Sequence, residues 1–90
     1  MSSWQIETTA QFDKSIRKLD RAIAARVIAY LEDLLMLEDP RQRGKGLTGD
    51  RAGYWRYRVG DYRVIAEIRE NVLVVVAIDV SHRSTASRSH

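Results

Sequence analysis

The chain has 90 residues, of which 44% are hydrophobic and 30% charged, and it has no cysteine. That length makes one domain, residues 1–90, with a limited core; the missing cysteine excludes disulfides and thiolate metal sites and fits a reducing cytoplasm. The net charge of +3 is unevenly placed, because residues 40–63 hold seven Lys/Arg (Arg41, Arg43, Lys45, Arg51, Arg56, Arg58, Arg63) against two Asp/Glu, while residues 1–39 hold five against seven.

A short strand is expected where Trp4-Gln5-Ile6-Glu7 alternates apolar and polar. Thr9 is the expected N-cap of a first helix whose Phe12, Ile16 and Leu19 share one face. Asp20 caps a second helix, carried by Ile23, Val27, Leu31 and Leu34, which must stop near Asp39 because Pro40 follows. Glycines punctuate residues 41–53, so that stretch reads as loop. Residues 54–59 alternate, with Trp55, Tyr57 and Val59 on one face and Arg56 and Arg58 on the other. Gly60-Asp61 is a hairpin turn, residues 62–68 a strand, Glu70-Asn71 a turn and residues 72–80 a last, almost wholly apolar strand covered on both faces. Residues 81–90 read as a polar tail. The expected fold is α+β: a helical hairpin packed on a small, mostly antiparallel four-stranded sheet, in the order β-α-α-β-β-β.

Residues 1–5 lack a basic segment followed by an apolar one, and the apolar run at residues 72–78 is too short to span a bilayer. The expectation is a soluble cytoplasmic protein. The charged middle third points to an anionic partner, with nucleic acid first, or else to a solvated basic loop. Arg56 and Arg58 share a strand face, Arg63 starts the next strand, and Arg83 follows the last one. In a three-stranded meander these four converge on the open face. Guanidinium groups bind phosphate bidentately and stabilise the added charge of a pentacoordinate phosphorane. RNA then needs no metal and no other cofactor, since its 2′-hydroxyl is an internal nucleophile that has only to be aligned. The plainer reading is that these arginines are the solvent side of a half-exposed sheet. His82 is the candidate for proton transfer, unless it is only a strand-end histidine; the other histidine, His90, is terminal. Asp79, inside an apolar strand, is expected to be buried in an ion pair with an arginine. Tyr57 and Tyr30 are expected in the core.

Gly53-Tyr54-Trp55-Arg56-Tyr57-Arg58-Val59-Gly60-Asp61-Tyr62-Arg63-Val64-Ile65 resembles the central hairpin of the RelE/ParE toxin superfamily. Lys45-Gly46-Leu47-Thr48-Gly49 resembles the segment before that hairpin, and Ile78-Asp79-Val80-Ser81-His82-Arg83 resembles the family's final strand, with Ser81 in place of a glycine. The resemblance implies a toxin of a type II toxin–antitoxin system. Its RelE branch implies a metal-independent endoribonuclease that cuts mRNA in the ribosomal A site; its ParE branch implies a gyrase inhibitor of the same fold. The RelE-type site residues fall on Arg56, Arg58, Arg63 and Arg83. Arg43, Lys45, Arg51 and Arg88 are the candidates to hold the RNA backbone.

The sequence departs from the family in one place. Many RelE-type members carry a tyrosine a few residues past the last arginine, and Ser87 stands there. Either His82 does the proton work, or activity is weak, or the chain is a detoxified variant. The implied partners are a RelB-like antitoxin, mRNA and the 70S ribosome, with operator DNA for the toxin–antitoxin complex. Trp4, Trp55 and the exposed side of residues 34–37 are the expected apolar contacts for the antitoxin.

Overall fold

The computed structural model describes residues 4–84. Strand β1 (Gln5–Thr8) passes into helix α1 (Ala10–Arg17) through Thr9. The Thr9 hydroxyl accepts from the Phe12 amide at 3.1 Å and donates to the Ile78 carbonyl at 2.7 Å. One side chain thus caps the helix and ties its start to the sheet. Helix α2 (Arg21–Leu34) is capped by Asp20, whose carboxylate accepts from the Ala22 amide.

α2 ends at Leu34, earlier than the proline alone requires. The amides of Leu35, Met36 and Leu37 bond three residues back, to Glu32, Asp33 and Leu34, so the last turn tightens and leaves the helix. The Trp4 indole then takes the Glu38 carbonyl at 3.0 Å, which fixes the segment beside the start of β1.

After a two-residue strand β2 (Lys45–Gly46), three long strands follow: β3 (Tyr54–Val59), β4 (Tyr62–Arg69) and β5 (Val74–His82). The sheet order is β1-β5-β4-β3-β2, with β1 parallel to β5 and every other pair antiparallel. The helical hairpin on a mostly antiparallel sheet is the expected architecture. The count is five strands instead of four, because Lys45–Gly46 pairs with β3 as the two-residue strand β2. Two residues are too few for alternation to betray. Gly44 makes the approach possible: it has φ +76°, and a Cβ there would lie 2.4 Å from the Arg56 carbonyl oxygen.

β5 also differs at both ends from the expected strand. Residues 70–72 form a single 3-10 turn and Leu73 takes φ 55°, so the strand starts at Val74. It runs on through Ser81 and His82, which therefore belong to the sheet and not to a tail. The β4–β5 register steps between Ile65↔Asp79 and Ala66↔Ala77, which leaves Ile78 as an extra residue in a bulge.

Phe12, Val27, Leu31 and Leu34 from the helices bury against Tyr57, Val64, Ala66, Val75, Ala77 and Val80 from the sheet. Val74 and Val76 are buried too but stand outside that cluster, on the other side of the strand by alternation. β5 is thus covered on both faces over this stretch, as its apolar run implies. Among the described residues no helix is long and apolar enough to cross a membrane.

Candidate nucleic-acid interface

Alternation along β3 sorts its side chains. Tyr57 and Val59 are buried against the helices, with Trp55 packed on the same core; Tyr54, Arg56 and Arg58 point the other way. The ladder then pairs Arg58 with Arg63 on β4, and Lys45 on β2 with Arg56. Two cross-strand pairs of like charge therefore stand on the face away from the helices. Directly opposed like charges destabilise a sheet.

None of these four cations takes an ion pair among the described residues, although other arginines do. Arg41 bridges Asp39 at 3.0 Å and Glu70 at 2.5 Å, and Arg69 pairs with Glu67 at 2.7 Å. Arg63 is half-buried, and its Nε is shut off from solvent without a hydrogen-bond partner. Arg83 follows directly on β5, whose Ser81 faces Arg63 across the ladder. Its amide donates to the Asp61 carbonyl at 2.8 Å, while its guanidinium stays 3.9 Å from the Asp61 carboxylate. Arg56, Arg58 and Arg63 are thus brought to one face with Arg83 at its rim.

The remaining basic candidates lie around this row. Lys45 joins it through β2, a pairing that sequence reasoning missed by treating the segment as loop. Gly44, Lys45, Arg56 and Arg58 line an open cleft of about 300 Å³ together with Tyr30. Tyr30 packs on the core cluster and on Tyr57, as expected, but it is only half-buried and its other side reaches this cleft. The Arg43 guanidinium sits 5.7 Å over the Tyr30 ring, and the Arg43 carbonyl accepts from the Trp55 indole at 2.6 Å. Arg51 is exposed at the end of a 3-10 turn. Ser87, Arg88 and His90 lie outside the described residues.

Three expected placements change. Asp79 is half-buried and takes no arginine; its Oδ1 accepts from the Ser15 hydroxyl at 2.7 Å and the Val80 amide at 2.9 Å. The bulge at Ile78 sets it opposite Ile65, on the arginine face, and α1 instead of an arginine supplies its side-chain partner. His82 falls on the helix side of β5, opposite Tyr62 and in phase with buried Val80, so it does not share the arginine face. Its ring meets Tyr62 edge-on at 5.1 Å, and its Nδ1 lies 2.7 Å from the Ser84 hydroxyl. Of the expected apolar contacts, Trp4 and Leu34 are buried and Trp55 half-buried, whereas Met36 is 79% exposed. Among the described residues no three His, Asp or Glu gather as a metal site.

Residues 6–86 match the family model described as ParE toxin of type II toxin–antitoxin system, parDE. The chain belongs to the RelE/ParE toxin superfamily. It is 31% identical over 85 residues to Toxin RelE of Mycobacterium tuberculosis, covering 94% of this chain and 87% of that protein. Among solved structures it resembles the toxin–antitoxin complex RelBE2 of M. tuberculosis, at 30% identity and a TM-score of 0.81, over 89% of this chain and 98% of that one. The archaeal RelE–RelB complex of Pyrococcus horikoshii shares the fold at 24% identity and a TM-score of 0.72, over 97% and 99% of the two chains. This RelE-family chain is a toxin of a type II toxin–antitoxin system.

Proposed function

We propose that this toxin is a metal-independent endoribonuclease that cuts mRNA in the ribosomal A site. The observation that carries the reading is the pair of like-charge ladder contacts, Lys45–Arg56 and Arg58–Arg63, none of them neutralised by a carboxylate among the described residues. A sheet that stacks cations this way is paid back when an anion bridges them. Successive phosphates of a single strand are the anion that fits a row.

In the proposed reaction the 2′-hydroxyl oxygen attacks the neighbouring phosphorus and the 5′-oxygen leaves. The products are a 2′,3′-cyclic phosphate and a 5′-hydroxyl; one proton departs from the 2′-oxygen and one arrives at the 5′-oxygen. Lys45, Arg56 and Arg58 hold the backbone. The half-buried Arg63 guanidinium meets the scissile phosphate, and Arg83 closes the site from the rim. His82 lies on the other side of β5 and takes no part on the phosphate. The rate enhancement rests on alignment and charge stabilisation.

A RelB-like antitoxin holds the toxin inactive by covering the basic face with an acidic segment. The support is that solved relatives are RelE–RelB complexes. The second reading, gyrase inhibition, follows from the ParE description of the matching family.

The test is primer extension in a purified translation system with ribosomes stalled at a defined codon. A new 5′ end inside the A-site codon, reduced about a hundredfold or more by Arg63→Ala, supports the proposal. Intact mRNA together with blocked supercoiling in a gyrase assay would replace it with the second reading.

A further inference from the structure

We infer that a second cleft on the arginine face is a base subsite that selects guanine in the bound RNA; this rests on the nucleic-acid reading above and adds a specificity to it. Gln11, Arg51, Tyr54, Ile65, Ile78 and Asp79 line an open cleft of about 290 Å³. Register fixes where it lies. Ile65 pairs with Arg56 on one side and with Asp79 on the other. Tyr54 precedes Arg56 by two residues on β3, a step of about 6.6 Å along a strand. A phosphate on Arg56 therefore leaves its neighbouring base over Tyr54 and Ile65.

The lining suits a base. Tyr54 is 37% exposed and offers a ring on which any base stacks. Ile65 and Ile78 give an apolar floor, and Arg51, Gln11 and Asp79 a polar rim. The bulge that sets Ile78 and Asp79 together opposite Ile65 is what brings both side chains to the cleft.

Asp79 supplies the selectivity. The Ser15 hydroxyl and the Val80 amide both donate to its Oδ1 and so lock the carboxylate's direction, which leaves Oδ2 as the acceptor for a ligand. A carboxylate accepts and never donates, so it favours a base edge rich in N–H groups. Guanine presents its ring N–H and its exocyclic amine side by side on the Watson–Crick edge. Adenine and cytosine present the amine beside a bare ring acceptor, which repels the carboxylate, and uracil presents one N–H between two carbonyls.

The test uses fluorescence anisotropy with the full chain and end-labelled 2′-O-methyl oligouridines carrying one central guanine, adenine or cytosine. The 2′-O-methyl groups remove the nucleophile, so binding is read apart from cleavage. The guanine strand is expected to bind about tenfold or more tighter than the adenine strand. Asp79→Asn, which keeps an acceptor for Ser15, should erase that ratio; Tyr54→Ala should weaken all three strands alike. Equal binding of guanine and adenine strands by the unaltered protein overturns the subsite, as does an Asp79→Asn loss that is the same for every base. A guanine preference without any mRNA cutting would retain the subsite and reject the nuclease reading. Cutting without a base preference would do the reverse.

Discussion

Arg58 stands directly across the β3–β4 ladder from Arg63, and both side chains leave the sheet on the face away from the helices. The repulsion between them is a stability cost carried by the free toxin. Arg58→Glu turns that pair into an attractive one. The variant should be more stable than the parent by about 0.2–1 kcal/mol in urea denaturation, while losing cleavage. A variant that is no more stable, or one that is more stable and still cuts mRNA, would show that the face is only a solvated sheet surface.

Tyr57 anchors the edge of the sheet that carries this face. Its ring is fully buried, and its hydroxyl donates to the Pro40 carbonyl at 2.8 Å. Tyr57→Phe leaves that carbonyl unsatisfied in the core and should destabilise by roughly 1–2 kcal/mol. Burial also pushes the phenol well above its ordinary value of 10.0. A group raised in the folded state supports folding below its unfolded pKa and withdraws that support as pH rises past it. The parent should therefore lose stability above pH 10.0, and the Phe variant should lack that part of the slope. Parallel alkaline limbs for the two proteins would contradict this.

The elements that fill a side-chain period were readable from the chain alone. Thr9 and Asp20 cap where expected, and the β3 alternation separates Tyr57 from Arg58 without any tertiary information. What escaped was set by contacts distant in sequence. β2 exists because Gly44 lets the backbone approach Arg56, and two residues have no period to detect. Asp79 stands opposite Ile65 because a bulge shifted its phase, and it takes no arginine because Ser15, 64 positions earlier, supplies its donor. His82 follows from the same register: once Ser81 pairs with Arg63, its neighbour must face the helices. An arginine row was legible; the bulge that decides which acid and which histidine accompany it was not.

Asp39 and Arg41 hold the turn that leads into β2. The Asp39 carboxylate accepts from the Arg41 side chain at 3.0 Å and from its amide at 2.9 Å, and these bonds hold its pKa below the ordinary 3.8. A depressed carboxyl supports folding above its unfolded pKa and gives that support up as pH falls through 3.8 toward the lower folded value. Arg41→Gln should lower the urea midpoint at neutral pH and flatten its fall below pH 3.8. The change should be small, because the Arg41 and Asp39 side chains are 36% and 43% exposed and solvent screens them. An acid limb as steep as the parent's would rule out this contribution.

His82 offers the sharpest check on the proposed division of labour. Its Nδ1 accepts from the Ser84 amide at 3.2 Å, which places the proton of the neutral ring on Nε2, and its ring packs edge-on against Tyr62. These contacts hold the end of β5 from which Arg83 departs, so His82 is assigned a positioning role. His82→Gln should lower cleavage far less than Arg63→Ala does. A loss on His82→Gln as large as that on Arg63→Ala would return the histidine to proton transfer. It would also require the strand end to rearrange when RNA binds, since its side chain now starts from the wrong face of the sheet.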